Sequence, residues 1–423
     1  MRYSWILFLL LLCSCSDEKV PLVGRREYLL PERLPALTKK QQGAHFSIPP
    51  ATIISSWQQP GYNAAHILPS IVGPKDFRKD WETSLSYGED RTWKISADPL
   101  LADNRLFVLD AGGILFALQT ETGAILWKTS LTPCGCEGNL NGGMAYADGI
   151  LYIATTFSEI IACEGATGRL LWRRALESPA AGGLTIAEGR LFVVLSNNTV
   201  EVRNLKTGAP LWTHKGLIED AKMIGNAACA VDQGVVLVPY ASGELFALHA
   251  ETGSVLWEYN LTKIASSEVL RLFPHIRALP VLFEGTAYAL GYSGLMVAID
   301  LRTGKKRWEY EIGGTEPPCV TKSGLALIST EGSCVCFGQE GQVLWSTVLP
   351  ESEGRFPALW RGPFLINGQL MASHSDGTFV FLSPEDGHIL RQILLEDPVV
   401  VRPLIAQRKL FIVTQNGRVQ AYR

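Results

Sequence analysis

Seven times along this chain a glycine turn is followed, four residues later, by a position that is almost always tryptophan. Thr122-Gly123 leads to Trp127, Thr167-Gly168 to Trp172, Thr207-Gly208 to Trp212, Thr252-Gly253 to Trp257, Thr303-Gly304 to Trp308, Gly341 to Trp345 and Gly387 to Arg391. Only the last copy has lost its ring. Successive positions are 37 to 51 residues apart, most often 45 or 46. An apolar run opened by a small or polar turn precedes each, as in Gly243-Glu244-Leu245-Phe246-Ala247-Leu248. A period of this length, built of short strand-like runs, indicates propeller blades rather than a helical solenoid.

Local pattern excludes helices. Runs such as Arg105-Leu106-Phe107-Val108-Leu109 are short, rich in aliphatic and aromatic residues and closed by turn residues, and no unit leaves room between its glycines for a helix of about 10 to 12 residues. Each unit is therefore expected to be a four-stranded antiparallel meander, the first with strands at 97–102, 105–109, the run into the Thr-Gly turn, and the Trp strand. Glycine supplies the positive φ of the hairpin, and the indole fills space between blades with its N–H free to reach a neighbouring backbone carbonyl. An eighth turn-bound strand, Gly417-Arg418-Val419-Gln420-Ala421-Tyr422, ends the chain with no Trp strand after it. An orphan copy, Arg78-Lys79-Asp80-Trp81-Glu82-Thr83-Ser84-Leu85, lies upstream of the first full unit. The two are expected to pair and close an eight-bladed, all-β propeller, because closure removes the edges of an open array.

The unbroken repeat makes 76–423 one domain despite its length. A net charge of -3 gives no basic footprint for nucleic acid. Residues 1–15 differ: Arg2 precedes an apolar run and then Leu12-Cys13-Ser14-Cys15. That is a secretory signal, and its end resembles a bacterial lipobox with Cys15 as the acylated residue; the alternative is an ordinary cleaved signal. Residues 16–75 lack the repeat and are proline-rich, a tether in which 57–66 is expected to pack on the ring as a strap or to bind something. Seven cysteines remain after Cys13 and Cys15. Cys334 and Cys336 fall at alternate positions of one strand and read as core, whereas Cys134 and Cys136 lie in a loop and are open to disulfide pairing. No catalytic or phosphate-binding motif is present, and the seven histidines are scattered, so no catalytic residue, metal or cofactor is expected.

The blade motif resembles that of pyrroloquinoline-quinone enzymes, most closely at Ala298-Ile299-Asp300-Leu301-Arg302-Thr303-Gly304 with Trp308. Those enzymes also have vicinal cysteines and insertions that build a cofactor chamber; this chain has neither. Together with the lipobox, the eight units, and the segments 238–245 and 57–66, the chain resembles the BamB family of outer-membrane assembly lipoproteins, particularly its alphaproteobacterial branch. The resemblance implies a noncatalytic scaffold at the periplasmic face of the outer membrane. It would dock on the periplasmic POTRA domains of BamA, beside other assembly lipoproteins, and assist nascent outer-membrane proteins. Two loops carry the BamA contact in that family. One falls on 221–225, where Met223 keeps an apolar position and Ile224 replaces an arginine; the other keeps Arg271 and Leu272 but has His275 and Arg277 in place of an acidic pair. Met223, Ile224, Arg271, Leu272, His275 and Arg277 are the partner-binding candidates, on the loops 217–226 and 265–279. The alternative is a small periplasmic quinoprotein oxidoreductase or other ligand-binding propeller.

Overall fold

Thirty-two short strands form eight separate four-stranded antiparallel sheets in the computed structural model, which describes residues 46–90, 94–133, 142–218, 225, 227–262, 274–350 and 359–423. The first complete blade consists of β2 (Leu100–Ala102), β3 (Arg105–Leu109), β4 (Ile114–Gln119) and β5 (Ile125–Ser130). The inner three strands are almost wholly buried, and the outer strand alternates between half-buried and exposed. This is what sandwiching each sheet between two neighbours produces, with the core running as a continuous band through the ring. The inner strand begins later than the expected residue 97. Pro99 has no N–H to give the ladder, and Asp98 instead accepts the backbone N–H of Arg402 at 3.1 Å.

The ring closes as the repeat pattern requires. β1 (Lys79–Ser84) pairs antiparallel with β32 (Arg418–Tyr422), Trp81 opposite Ala421, and the sheet continues through β31 (Lys409–Val413) to β30 (Leu404–Ala406). Charges reinforce the seam. Lys409, almost wholly buried, bridges Asp80 at 3.0 Å and Glu121 at 2.8 Å, while Glu82 accepts from Arg418 at 3.1 Å and Gln420 at 2.9 Å.

Six of the seven outer-strand tryptophans, all but Trp172, bond their blade to the next one. The indole N–H of Trp81 donates to Thr120 O at 2.9 Å, that of Trp257 to Leu301 O at 2.8 Å and that of Trp345 to Pro384 O at 2.9 Å, with the same bond from Trp127, Trp212 and Trp308. The ring lies flat on the following blade's turn glycine. A Cβ on Gly123 would sit 2.3 Å from Trp81, and one on Gly387 2.3 Å from Trp345. The glycine is therefore fixed twice, by its positive φ and by the indole above it. The missing eighth tryptophan now has a reason. The outer strand carrying Arg391 faces the seam blade, where chain ends stand in place of a Thr-Gly turn. Phe77 fills the gap, and the Arg391 guanidinium lies 4.1 Å from the Phe381 ring centre and 5.3 Å from that of Phe77.

Antiparallel connection sorts the turns onto two faces. On one, outer-strand ends bond to the turns between the middle strands (Leu131 N–H to Gly113 O, Leu261 N–H to Gly243 O); on the other, the Thr-Gly turns meet the inner hairpins (Gly165 N–H to Gly149 O, Leu301 N–H to Gly285 O). Residues 46–77 cross the centre of this second face and bond to all eight blades. Trp57 exchanges two backbone bonds with Leu101; the carbonyls of Gln58, Ala64 and Ala65 accept from Tyr146, Val231 and Leu282; Gln59 Oε1 accepts from Ile186. Ser47 bonds Ser323, Ile71 bonds Leu365 and Asn367, and Ile54 O accepts from Gln407. His66 is buried with Nδ1 2.7 Å from Pro280 O, so Nδ1 carries the proton.

Candidate partner-binding rim and central funnel

With one end of the channel crossed by residues 46–77, the centre of the ring is a funnel open toward the other face. Its volume is about 910 Å³, with Pro60 of the crossing segment among the lining residues. The walls are the heads of the inner strands. Gly142, Gly143, Ala181 and Gly183 leave one side nearly bare of side chains. Gly143 has no room for one, since a Cβ there would lie 2.3 Å from Gly183 Cα.

The opposite side is charged. Glu316, almost wholly buried, takes Arg402 Nε on one carboxylate oxygen at 2.8 Å and lies 3.4 Å from Arg361 Nη1 through the other. Arg361 also donates to Val400 O at 2.9 Å. Asp98 accepts the Arg402 backbone N–H. Burial opposes the Arg402 charge, but Glu316 and Asp98 outweigh it and hold the guanidinium above its ordinary pKa. Burial also pushes the Asp98 carboxyl up, against the pull of the nearby arginines. A carboxylate shared by two guanidiniums satisfies most of its lone pairs, the condition under which a buried ion pair is tolerated. Sequence reasoning passed over these residues. A signal was present: Asp98-Pro99, Glu316-Pro317 and Arg402-Pro403 each place a charge directly before a proline at the head of an inner strand, and Arg361 precedes Gly362-Pro363.

Of the six partner-binding candidates, two are described. His275 is buried, its carbonyl accepting Tyr292 N–H at 3.0 Å, and Arg277 lines the funnel, half-buried. Met223, Ile224, Arg271 and Leu272 lie outside the described residues, as do Cys15, Cys134 and Cys136. The strand ends that flank the two candidate loops, Lys215 and Ala230, Asn260 and Val281, lie on the face where the funnel opens. Cys163, Cys229, Cys319, Cys334 and Cys336 are free and buried, and burial pushes the thiols of Cys319 and Cys334 up to about 12, so they pack as small apolar groups. Among the described residues no group of His, Cys, Asp and Glu could hold a metal ion.

The sequence profile of the family described as outer membrane protein assembly factor BamB matches residues 113–347, more than half of the chain. The chain belongs to the BamB family. The BamB of Yersinia pestis is 24% identical over 363 residues, covering 84% of this chain and 91% of the relative. The BamB of Escherichia coli K12 is 25% identical over 359 residues, covering 83% and 90%. Among solved structures, BamB from Moraxella catarrhalis superposes with a TM-score of 0.67 at 20% identity, covering 81% of this chain and 99% of that one. A europium-containing methanol dehydrogenase superposes with a TM-score of 0.64 at 14% identity, covering 85% and 89%. At such identities both likenesses speak for the propeller fold alone. The BamB family places this chain among proteins named for assembling others, whereas the dehydrogenase shares its blades.

Proposed function

We propose that this chain is a noncatalytic scaffold subunit of the outer-membrane β-barrel assembly machinery. Membership of the BamB family carries the reading. The architecture agrees with it: a ring without a free sheet edge at its seam, held to its own N-terminal segment, is a rigid body on which connections can present a surface. The partner in this reading is BamA through its periplasmic POTRA domains, with the other assembly lipoproteins and nascent outer-membrane proteins nearby. Met223, Ile224 and Leu272 form the apolar centre of the contact and Arg271 its charged margin. His275, buried, and Arg277, on the funnel wall, complete the set of candidate residues.

In the same reading residues 1–15 are a lipoprotein signal, Cys15 carries the lipid, and the stretch that follows tethers the ring to the outer membrane on the periplasmic side. Acyl chains contribute about 0.8 kcal/mol per buried methylene, so more than one chain makes a lasting anchor. Cys15→Ser is expected to leave the precursor uncleaved or the protein free of membranes, as mass spectrometry of the mature terminus and membrane fractionation would show. Met223→Asp combined with Leu272→Asp is expected to abolish co-purification with BamA while the melting temperature stays unchanged. Full recovery of BamA by that folded double variant would move the interface elsewhere.

A further inference from the structure

Within the funnel the charges do not balance locally. Lys94 pairs with Glu89 at 3.5 Å and His374 with Asp376 at 2.7 Å, so these four lining groups have partners among themselves. The remaining titratable groups on the wall are three guanidiniums, Arg277, Arg361 and Arg402, and two carboxylates, Asp98 and Glu316. Glu316 is committed to Arg361 and Arg402. Asp98 is turned to the Arg402 backbone. Arg277 is left with no hydrogen bond or ion pair among the described residues, and Arg361 Nε is buried without an acceptor. Burial, with the like charges of Arg361 and Arg402 added, pushes the Arg277 guanidinium below its ordinary pKa.

We propose that the funnel is a binding site for a carboxylate, held by Arg277 at the wall. Among the described residues Arg277 is the one wall guanidinium without a partner, and a carboxylate is the group of opposite charge that completes it. A guanidinium presents paired N–H donors that match the two oxygens of a carboxylate. The rest of the ligand would lie on the bare wall of Gly142, Gly143 and Ala181. The volume is within the range of small-molecule sites and also admits an extended peptide end. The carboxylate could therefore come from a free organic acid or from the C-terminus of a chain. The site shares Arg277 with the proposed BamA contact, but its test uses the protein alone, so its failure is distinguishable from failure of the docking reading.

Calorimetric titration of the full-length protein in detergent separates the two sources. The probes are benzoate against benzamide, and N-acetyl-trialanine as the free acid against its amide. Binding of either acid, with its neutral counterpart at least tenfold weaker, is the expected result. Tighter binding of benzoate assigns the site to free acids, and tighter binding of the tripeptide acid assigns it to chain ends. Arg277→Met is expected to weaken the preferred acid at least tenfold, and Arg277→Lys to restore part of the loss. Ala181→Trp, which fills the funnel without touching a charge, is expected to abolish binding and carries the test should Arg277→Met fail to fold. No binding of either acid, equal binding of acids and amides, or unchanged binding in a folded Arg277→Met or Ala181→Trp protein would overturn the proposal.

Discussion

Gly304 shows how one residue of the repeat is held by two independent constraints. Its φ of +70° suits glycine, and a Cβ there would lie 2.6 Å from Trp257 Cγ on the preceding blade. Gly304→Ala must strain the turn and displace the indole, whose N–H bond to Leu301 O would stretch. The expected cost is about 1–3 kcal/mol, read as a lower melting temperature. His66 contributes a pH dependence. Burial lowers its pKa to about 4, whereas an unfolded histidine titrates near 6.5. Between those values the unfolded chain binds a proton that the folded ring refuses, so this contribution is whole above pH 6.5 and is lost as pH falls toward 4. The loss is about 1.4 kcal/mol per pH unit at most. Between pH 7 and 4.5 the wild type is expected to lose more stability than His66→Gln, measured by denaturant unfolding; equal losses would show that this ring does not sense pH. The roles of Trp and Gly were legible because the same pair recurs. Arg391 was legible only as an exception, and its cause, a missing turn on the neighbouring blade, needed the ring in three dimensions. The Glu316 cluster escaped notice because its members, Asp98, Glu316, Arg361 and Arg402, come one each from four different blades and do not recur in the others.

At the scale of elements, the seam is the joint on which closure depends. β32 pairs on one side with β31 and on the other with β1, so its loss exposes two strand edges and removes the buried side chains of Val419, Ala421 and Tyr422 from the core. A chain lacking 419–423 is expected to unfold in one transition at a markedly lower temperature. An unchanged melting temperature would show that the blades hold without closure. Strand pairing was readable in advance because its alternation and turns repeat. The path of residues 46–77 was not. It bonds to the blades through single bridges at Trp57 and Ile71 and through isolated carbonyls, which leave no period in a sequence.

For the molecule as a whole, that segment is a ninth partner common to eight blades. Removing 46–75 is expected to open the second face and leave inner-strand amides at Tyr146, Val231 and Leu282 without acceptors. Their hydrogen exchange should accelerate selectively, while middle-strand amides such as Phe107 and Phe246 stay protected. Uniform acceleration would mean that the segment stabilises the ring globally rather than covering its centre.

Time enters through the seam. Glu82 and its partner Arg418 are 336 positions apart, so the first strand made waits for the last. Residues 46–77 wait as well, since their acceptors and donors are spread over every blade. A chain emerging N-terminus first can build meanders as it goes but cannot finish the ring until its final residues arrive, a loop closure of the longest kind available to it. Through that interval Trp57, Ile71 and the edge of β1 are exposed, and a helper that shields them would have to let go only at the end of synthesis.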